Sequence, residues 1–213
     1  MKELLQRLEA QLQLQYPDIL PTLNPPATEE QITAVEAAMK QKLPEDVKTA
    51  YRWHNGCRCL PGETSWPLKH EPYLLIYRGR WLALDEMLDR WLSNLQIGFV
   101  DTEYDFTEEE DPNNWSQLVI RPWTAPPHTW LPLGQADHGS FTYIDLFPGP
   151  RGHVGQLLAY NIHGGGGDEF LADSLENYLA VFVPALERKE LQYDRRHQQW
   201  VGLGEVLQKA KNT

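Results

Sequence analysis

The sequence predicts an α+β domain in which helices come first, strands follow, and a further helix comes after them. Three observations predict this order. Apolar residues recur at helical spacing in the first quarter of the chain, β-branched and aromatic runs bounded by Pro and Gly follow, and a helical pattern returns after Asp173. Because helices and strands are grouped and do not alternate, the pattern does not favour a parallel βαβ fold.

Two helices are predicted before residue 40. The first covers residues 2–15, where one stripe carries Leu4, Leu5, Leu8 and Leu12, with Leu14 as a candidate fifth member. After a proline-rich connection, Thr28 and Gln31 have the spacing of a capping box, which marks the start of the second helix. The expected buried face of that helix consists of Ile32, Val35, Ala38 and Met39.

A third helix is predicted to begin at Pro44, because a proline in the first turn lacks only an N–H that would have no helical partner. Glu45 and Asp46 suit the positive N-terminal end of this helix. Its predicted buried face consists of Val47, Ala50, Tyr51 and His54. Asn55 and Gly56 are predicted to stop the helix, because glycine can adopt the left-handed conformation that closes a helix.

The middle of the chain predicts a short strand over residues 73–77, a turn at residues 78–80 and a helix over residues 84–96. Residues 141–147 favour a strand by their β-branched and aromatic content. Residues 155–162 can return beside it after a Pro-Gly-Pro turn, so a β-hairpin is predicted here.

A last helix is predicted after Asp173, which can cap it, and Pro184 is predicted to kink or end it. Its apolar positions are Leu175, Tyr178, Leu179 and Phe182. The remaining residues are charged and helical in composition, with expected anchors at Leu191, Trp200, Leu203 and Leu207. The predicted organisation is a single domain over residues 1–183, with its core at 23–183 and a leading helix at 1–15, followed by a helical C-terminal extension over 184–213.

The composition excludes several classes of protein. Thirty acidic and 19 basic residues give a formal net charge of −11, which would repel nucleic acid and anionic membranes and attract a basic protein. No apolar run approaches the roughly 18 residues needed to cross a bilayer, and the N-terminal stretch lacks the apolar core of a secretory signal. We therefore predict a cytoplasmic protein that binds neither nucleic acid nor membrane.

His54, Cys57 and Cys59 are candidate metal ligands. Their spacing does not match the paired ligand arms of structural zinc sites, so we interpret them as a helix-end histidine and two small thiols. A metal-dependent enzyme that uses these three residues is the alternative. The glycine run 164–167 lacks the lysine and hydroxyl of a phosphate-binding loop. We expect no catalytic residue, no metal ligand and no cofactor.

Residues 101–111 contain seven acidic residues and no basic one, which predicts an exposed loop. Tryptophan and tyrosine are frequent interface anchors, and negative charge speeds the capture of a positive partner. The candidate partner-binding residues are Asp101, Glu103, Tyr104, Asp105, Glu108, Glu109, Glu110 and Trp115. The alternative for the loop is that it is only solvated. For Trp115, Trp123 and Trp130 the content of large aromatics favours a place in the core over one at an interface.

Three stretches together resemble the Smi/Knr family, which is also called the SUKH superfamily. The first, residues 23–56, contains a Pro-rich lead, a capped helix, and LPED opening a second helix that ends in Asn-Gly. The second, residues 129–162, contains TWLPLG, an aromatic strand that ends in Asp145, and VGQ. The third is FLADSLENYLAVF at residues 170–182. The long acidic and Trp-rich stretch 101–128 and the terminal segments depart from the family pattern.

The resemblance implies helices packed on a small, mostly antiparallel sheet, with a later helix against it. Its known members are fungal cell-wall assembly regulators and bacterial immunity proteins, so it implies protein binding and no catalysis. The residues that match the family motifs are expected to be scaffold: Leu43, Pro44, Tyr51, Trp53, Asn55, Gly56, Asp145 and Gly155. We expect an immunity protein that neutralises a basic toxin, such as a nuclease. The alternative is a regulatory or scaffolding protein of the cell-wall type.

Overall fold

The computed structural model describes residues 1–58, 80–96, 129–135, 140–161, 169–194 and 199–211. Within them the helices are α1 (Lys2–Gln15), α2 (Glu29–Met39), α3 (Glu45–Trp53), α4 (Leu84–Gln96), α5 (Leu175–Glu187) and α6 (Leu203–Lys211). The strands are β1 (Arg80–Trp81), β2 (Trp130–Gln135), β3 (Ser140–Asp145), β4 (Gln156–Asn161), β5 (Glu169–Ala172), β6 (Gln192–Asp194) and β7 (Gln199–Val201). The predicted strand 73–77 lies outside these residues.

The main sheet has five strands in the order β1-β2-β3-β4-β5, and every neighbouring pair is antiparallel. The α+β class is confirmed: α1, α2 and α3 precede the sheet, α4 lies between β1 and β2 along the chain, and α5 follows the sheet. The predicted hairpin is β3 and β4, paired from Ser140 with Asn161 to Asp145 with Gln156. Arg80, which was predicted in a turn, instead begins β1, and a second sheet of β6 and β7 is an addition to the prediction.

The two faces of the main sheet are both apolar. One face joins the helices in a single core that includes Leu131, Ile144 and Leu157. The opposite face carries a second buried cluster: Trp130, Phe141, Tyr143 and Leu158. In this cluster the ring of Trp130 lies 5.6 Å from that of Tyr143, an aromatic contact typical of cores. The interpretation of Trp130 as a core residue is therefore confirmed.

Helix α1 has the predicted bounds and buries Leu5, Leu8 and Leu12. Leu14, however, is 74% exposed, so its inclusion in the stripe was wrong. Leu14 lies two residues beyond Leu12, and a rotation of about 200° places it on the opposite side of the helix.

Helix α2 begins with the predicted capping box: the Thr28 hydroxyl accepts from the N–H of Gln31, and the Gln31 side chain accepts from the N–H of Thr28. Ala38 is exposed, contrary to the prediction, and Glu36 is buried in its place. The Glu36 carboxylate accepts from the Leu43 N–H at 3.0 Å and from Lys42 Nζ at 2.6 Å. A buried carboxylate is tolerated because these donors replace the lost water.

Helix α5 buries the four predicted residues, but Ser174 caps it in place of Asp173. The Ser174 hydroxyl accepts from the N–H of Asn177. Pro184 does not end the helix, which continues to Glu187. The residues around the proline, including Ala185 and Leu186, are fully buried, and this packing compensates for the backbone hydrogen bond that proline cannot donate.

The N-terminal and C-terminal segments meet beside α5. Tyr16 packs edge-on against Trp200 at 5.3 Å and against Tyr193 at 6.3 Å between ring centroids. Trp200 also packs against Phe182 of α5 at 5.3 Å. The four predicted anchors Leu191, Trp200, Leu203 and Leu207 are all buried. We call Tyr16, Phe182, Tyr193 and Trp200 the terminal cluster. The division of the chain at residue 183 stays a prediction.

Candidate functional site

The predicted partner-binding residues, from Asp101 to Trp115, lie outside the described residues. The same is true of Cys59 and of the glycine run 164–167. The structure does describe two other groups of predicted residues. They are the pair His54 and Cys57, and the family-motif residues between Leu43 and Gly155.

His54 and Cys57 are held by structural contacts. His54 Nδ1 lies 2.6 Å from the carbonyl oxygen of Asn24, and because a carbonyl only accepts, Nδ1 carries the hydrogen. The imidazole also packs edge-on against the ring of Trp53. Cys57 is fully buried and forms an isolated bridge with Leu23. Over the described ranges, no three His, Cys, Asp or Glu side chains gather as metal ligands would.

The end of α3 is joined to the start of α4 by three motif residues. The Tyr51 hydroxyl donates to the Leu82 carbonyl at 2.9 Å, and burial raises the pKa of this phenol far above its usual range. The Asn55 side-chain oxygen accepts from the N–H of Leu84 at 2.9 Å, which satisfies a free donor at the start of α4. We call Tyr51, Asn55, Gly56, Arg80 and Glu86 the motif junction.

Gly56 lies in the motif junction with φ +71°, at the closest approach of two backbones. A Cβ on Gly56 would lie 2.5 Å from the Ala83 nitrogen. The helix itself ends earlier, at Trp53, and His54 closes it in an extended conformation. The prediction that Gly56 stops the helix was therefore wrong. Gly56 instead allows residues 82–83 to pass against it.

A bidentate ion pair completes the motif junction. Arg80 Nη1 and Nη2 donate to the two carboxylate oxygens of Glu86 at 2.7 and 2.8 Å. Arg80 Nη1 also donates to the Cys57 carbonyl, and Glu86 accepts from the N–H of Ala83. Arg80 is buried, so its charge depends on these acceptors. The sequence interpretation missed this pair, for which the capping-like spacing of Ala83 and Glu86 was the available signal.

The β3–β4 loop is fixed by the motif residues Asp145 and Gly155. Asp145 is fully buried; its carboxylate accepts from the N–H of Phe147 and from Gln156 Nε2, both at 2.9 Å. Gly155 has φ +94°, and a Cβ there would lie 3.0 Å from Cγ of Pro44. The loop is thereby pinned against the start of α3. A carboxylate so enclosed is placed to hold a loop and not to meet a substrate.

The motif residues consequently behave as scaffold. Leu43 donates its N–H to Glu36, Trp53 donates its indole N–H to Glu9 at 2.9 Å, and Pro44 contacts Gly155. Among the described motif residues, no nucleophile lies beside a general base in the manner of a catalytic group. None of the helices in the described ranges is long and apolar enough to cross a membrane.

The outward face of α4 is a surface that the sequence interpretation did not single out. Leu84, Met87 and Trp91 are buried, whereas Asp85 and Asp89 are exposed. Leu92, which shares their face, is 41% exposed. The signal was available in the sequence, since positions i, i+4 and i+7 lie on one side of a helix.

The sequence of the chain was compared with family models and with known proteins. The family model described as SMI1/KNR4 (SUKH-1) matches residues 26–181, a range that contains every motif residue named above. The chain is also similar to the cell wall assembly regulator SMI1 of Saccharomyces cerevisiae, with 24% identity over 162 residues. The alignment covers 68% of this chain and 32% of that relative, so the chain spans about a third of the length of the relative.

Proposed function

The chain belongs to the SMI1/KNR4 (SUKH-1) family, and from this premise we propose that it is a non-enzymatic protein-binding domain that acts as an immunity protein. It binds a basic toxin, such as a nuclease, in the cytoplasm and blocks its activity. The observation that carries the proposal is that the family match spans α2, α3, α4 and the main sheet, while its motif residues are engaged in scaffold contacts.

The absence of a cofactor follows from the same proposal, because occlusion of a toxin needs only a complementary surface. His54 Nδ1 is occupied by a backbone carbonyl, and Cys57 is buried. Metal analysis of the purified protein tests this point. Stoichiometric zinc, lost on replacing His54 with alanine, would favour the metal-dependent alternative.

The net charge of −11 supports a basic partner, since opposite charges accelerate association. We propose that the acidic residues Asp101, Glu103, Asp105, Glu108, Glu109 and Glu110 steer the partner and that Tyr104 and Trp115 anchor it. Reversing the six charges should then slow association and flatten its dependence on salt, as measured by stopped-flow mixing with the partner. Unchanged association kinetics would remove this segment from the interface.

The second candidate function is a regulatory or scaffolding role of the cell-wall assembly type. It is favoured by the similarity to the yeast regulator SMI1. Since the chain spans about a third of that protein's length, the role of the whole relative is itself only a proposal for this chain.

Affinity capture of the tagged chain from its native host, at low and at moderate salt, separates the two functions. The immunity proposal predicts one basic protein that is recovered at low salt and weakened by added salt. Recovery of cell-wall or signalling proteins in its place would favour the regulatory role. Expressing the genes that flank the gene of this chain from a plasmid in the same host supplies any partner that the host does not otherwise make.

A further inference from the structure

We draw no further inference here: the strongest candidate, the aromatic face of the main sheet that carries the buried cluster of Trp130, Phe141, Tyr143 and Leu158, is an apolar surface for which nothing among the described residues shows which segment or partner covers it.

Discussion

Gly56 lies where two backbone segments are in contact, and the space beside its Cα is too small for a methyl group. A Cβ would lie 2.5 Å from the Ala83 nitrogen and 2.6 Å from the carbonyl of Leu82, at a residue whose φ is +71°. Both the contact and the backbone conformation oppose any other residue.

We predict that Gly56→Ala lowers the free energy of unfolding by about 3 kcal/mol or more. The matched change Gly204→Ala, at an exposed position in α6, should leave it unchanged or raise it by up to about 1 kcal/mol. Urea denaturation of both variants measures the difference. A Gly56→Ala variant as stable as the wild type would contradict the close approach of Gly56 to residues 82–83.

Glu36 predicts a dependence on pH. Burial alone would raise the pKa of this carboxyl, but the donors Lys42 and Leu43 and the nearby Lys48 outweigh burial and hold the pKa below 4.5. Because the folded state has the lower pKa, ionised Glu36 contributes stability above about pH 4.5. That contribution is lost as the pH falls through the folded-state pKa.

Glu36→Gln should therefore lower the free energy of unfolding by about 1–3 kcal/mol at pH 7. The difference in this free energy between the variant and the wild type should shrink below pH 4. Denaturation at pH 7 and pH 3.5 measures both values. Glu205→Gln, at an exposed position, serves as the control and should change stability by less than about 0.5 kcal/mol. A constant difference at the two pH values would refute the ionised state of Glu36.

Single residues show where sequence interpretation reaches its limit. The conformation of Gly56 could be anticipated, because glycine next to asparagine is typical of left-handed positions. The contact that requires glycine at this position could not be anticipated, since the contacting residues Leu82 and Ala83 are 26 or more positions away. Likewise the burial of Glu36 depends on a bond to Leu43 across the α2–α3 turn, which a hydrophobicity pattern does not contain.

At the scale of elements, helices with a strong apolar period were predicted to within a residue or two, and so was the capping box of α2, whereas the cap of α5 was not. The bounds of α1 and α4 agree with the prediction because each carries a continuous apolar stripe. Ser174 and not Asp173 caps α5, a one-residue choice that depends on the chain direction after β5. The pairing of β6 with β7 was missed because both strands are only three residues long.

The terminal cluster joins α1, α5 and the β6–β7 hairpin, and it predicts energetic coupling between distant parts of the chain. Trp200→Ala should lower the free energy of unfolding by about 3–5 kcal/mol, because a buried indole is lost from between Tyr16 and Phe182. The double variant Trp200→Ala/Tyr16→Ala should lose less free energy of unfolding than the sum of the losses of the two single variants, by about 0.5–1.5 kcal/mol.

A double-mutant cycle by thermal or chemical denaturation measures this coupling. Leu14→Ala, on the exposed side of α1, is the control and should change stability by no more than about 0.5 kcal/mol. Additive effects of the Tyr16 and Trp200 changes would mean that the two terminal segments do not stabilise each other.

At the scale of the whole molecule, the terminal segments share one core with the family-matched region. Leu8 of α1 and Leu203 of α6 belong to the same buried cluster as Tyr51 and Ile144. We predict that a chain ending at Glu187, or one beginning at Leu23, loses cooperative thermal unfolding, because each truncation exposes the apolar side of α5. Differential scanning calorimetry tests both chains. A sharp transition near that of the full chain would support a separate C-terminal extension.

The function of the molecule was less accessible from sequence than its fold. The order of motifs in residues 23–183 was enough to predict the family, because that order reflects a core and its turns. The predicted interface at Asp101–Trp115 depends on a partner, and no pattern within one chain specifies the complementary surface.

Inhibition by the purified chain tests the proposed immunity function most directly. The basic partner recovered from the native host is assayed for toxic activity on its own substrate while the chain is titrated into it. The immunity proposal predicts that activity falls to background at a 1:1 molar ratio and returns at high salt, because the complex is steered by charge. Full activity of the partner in the presence of excess bound chain would contradict immunity and favour a regulatory role.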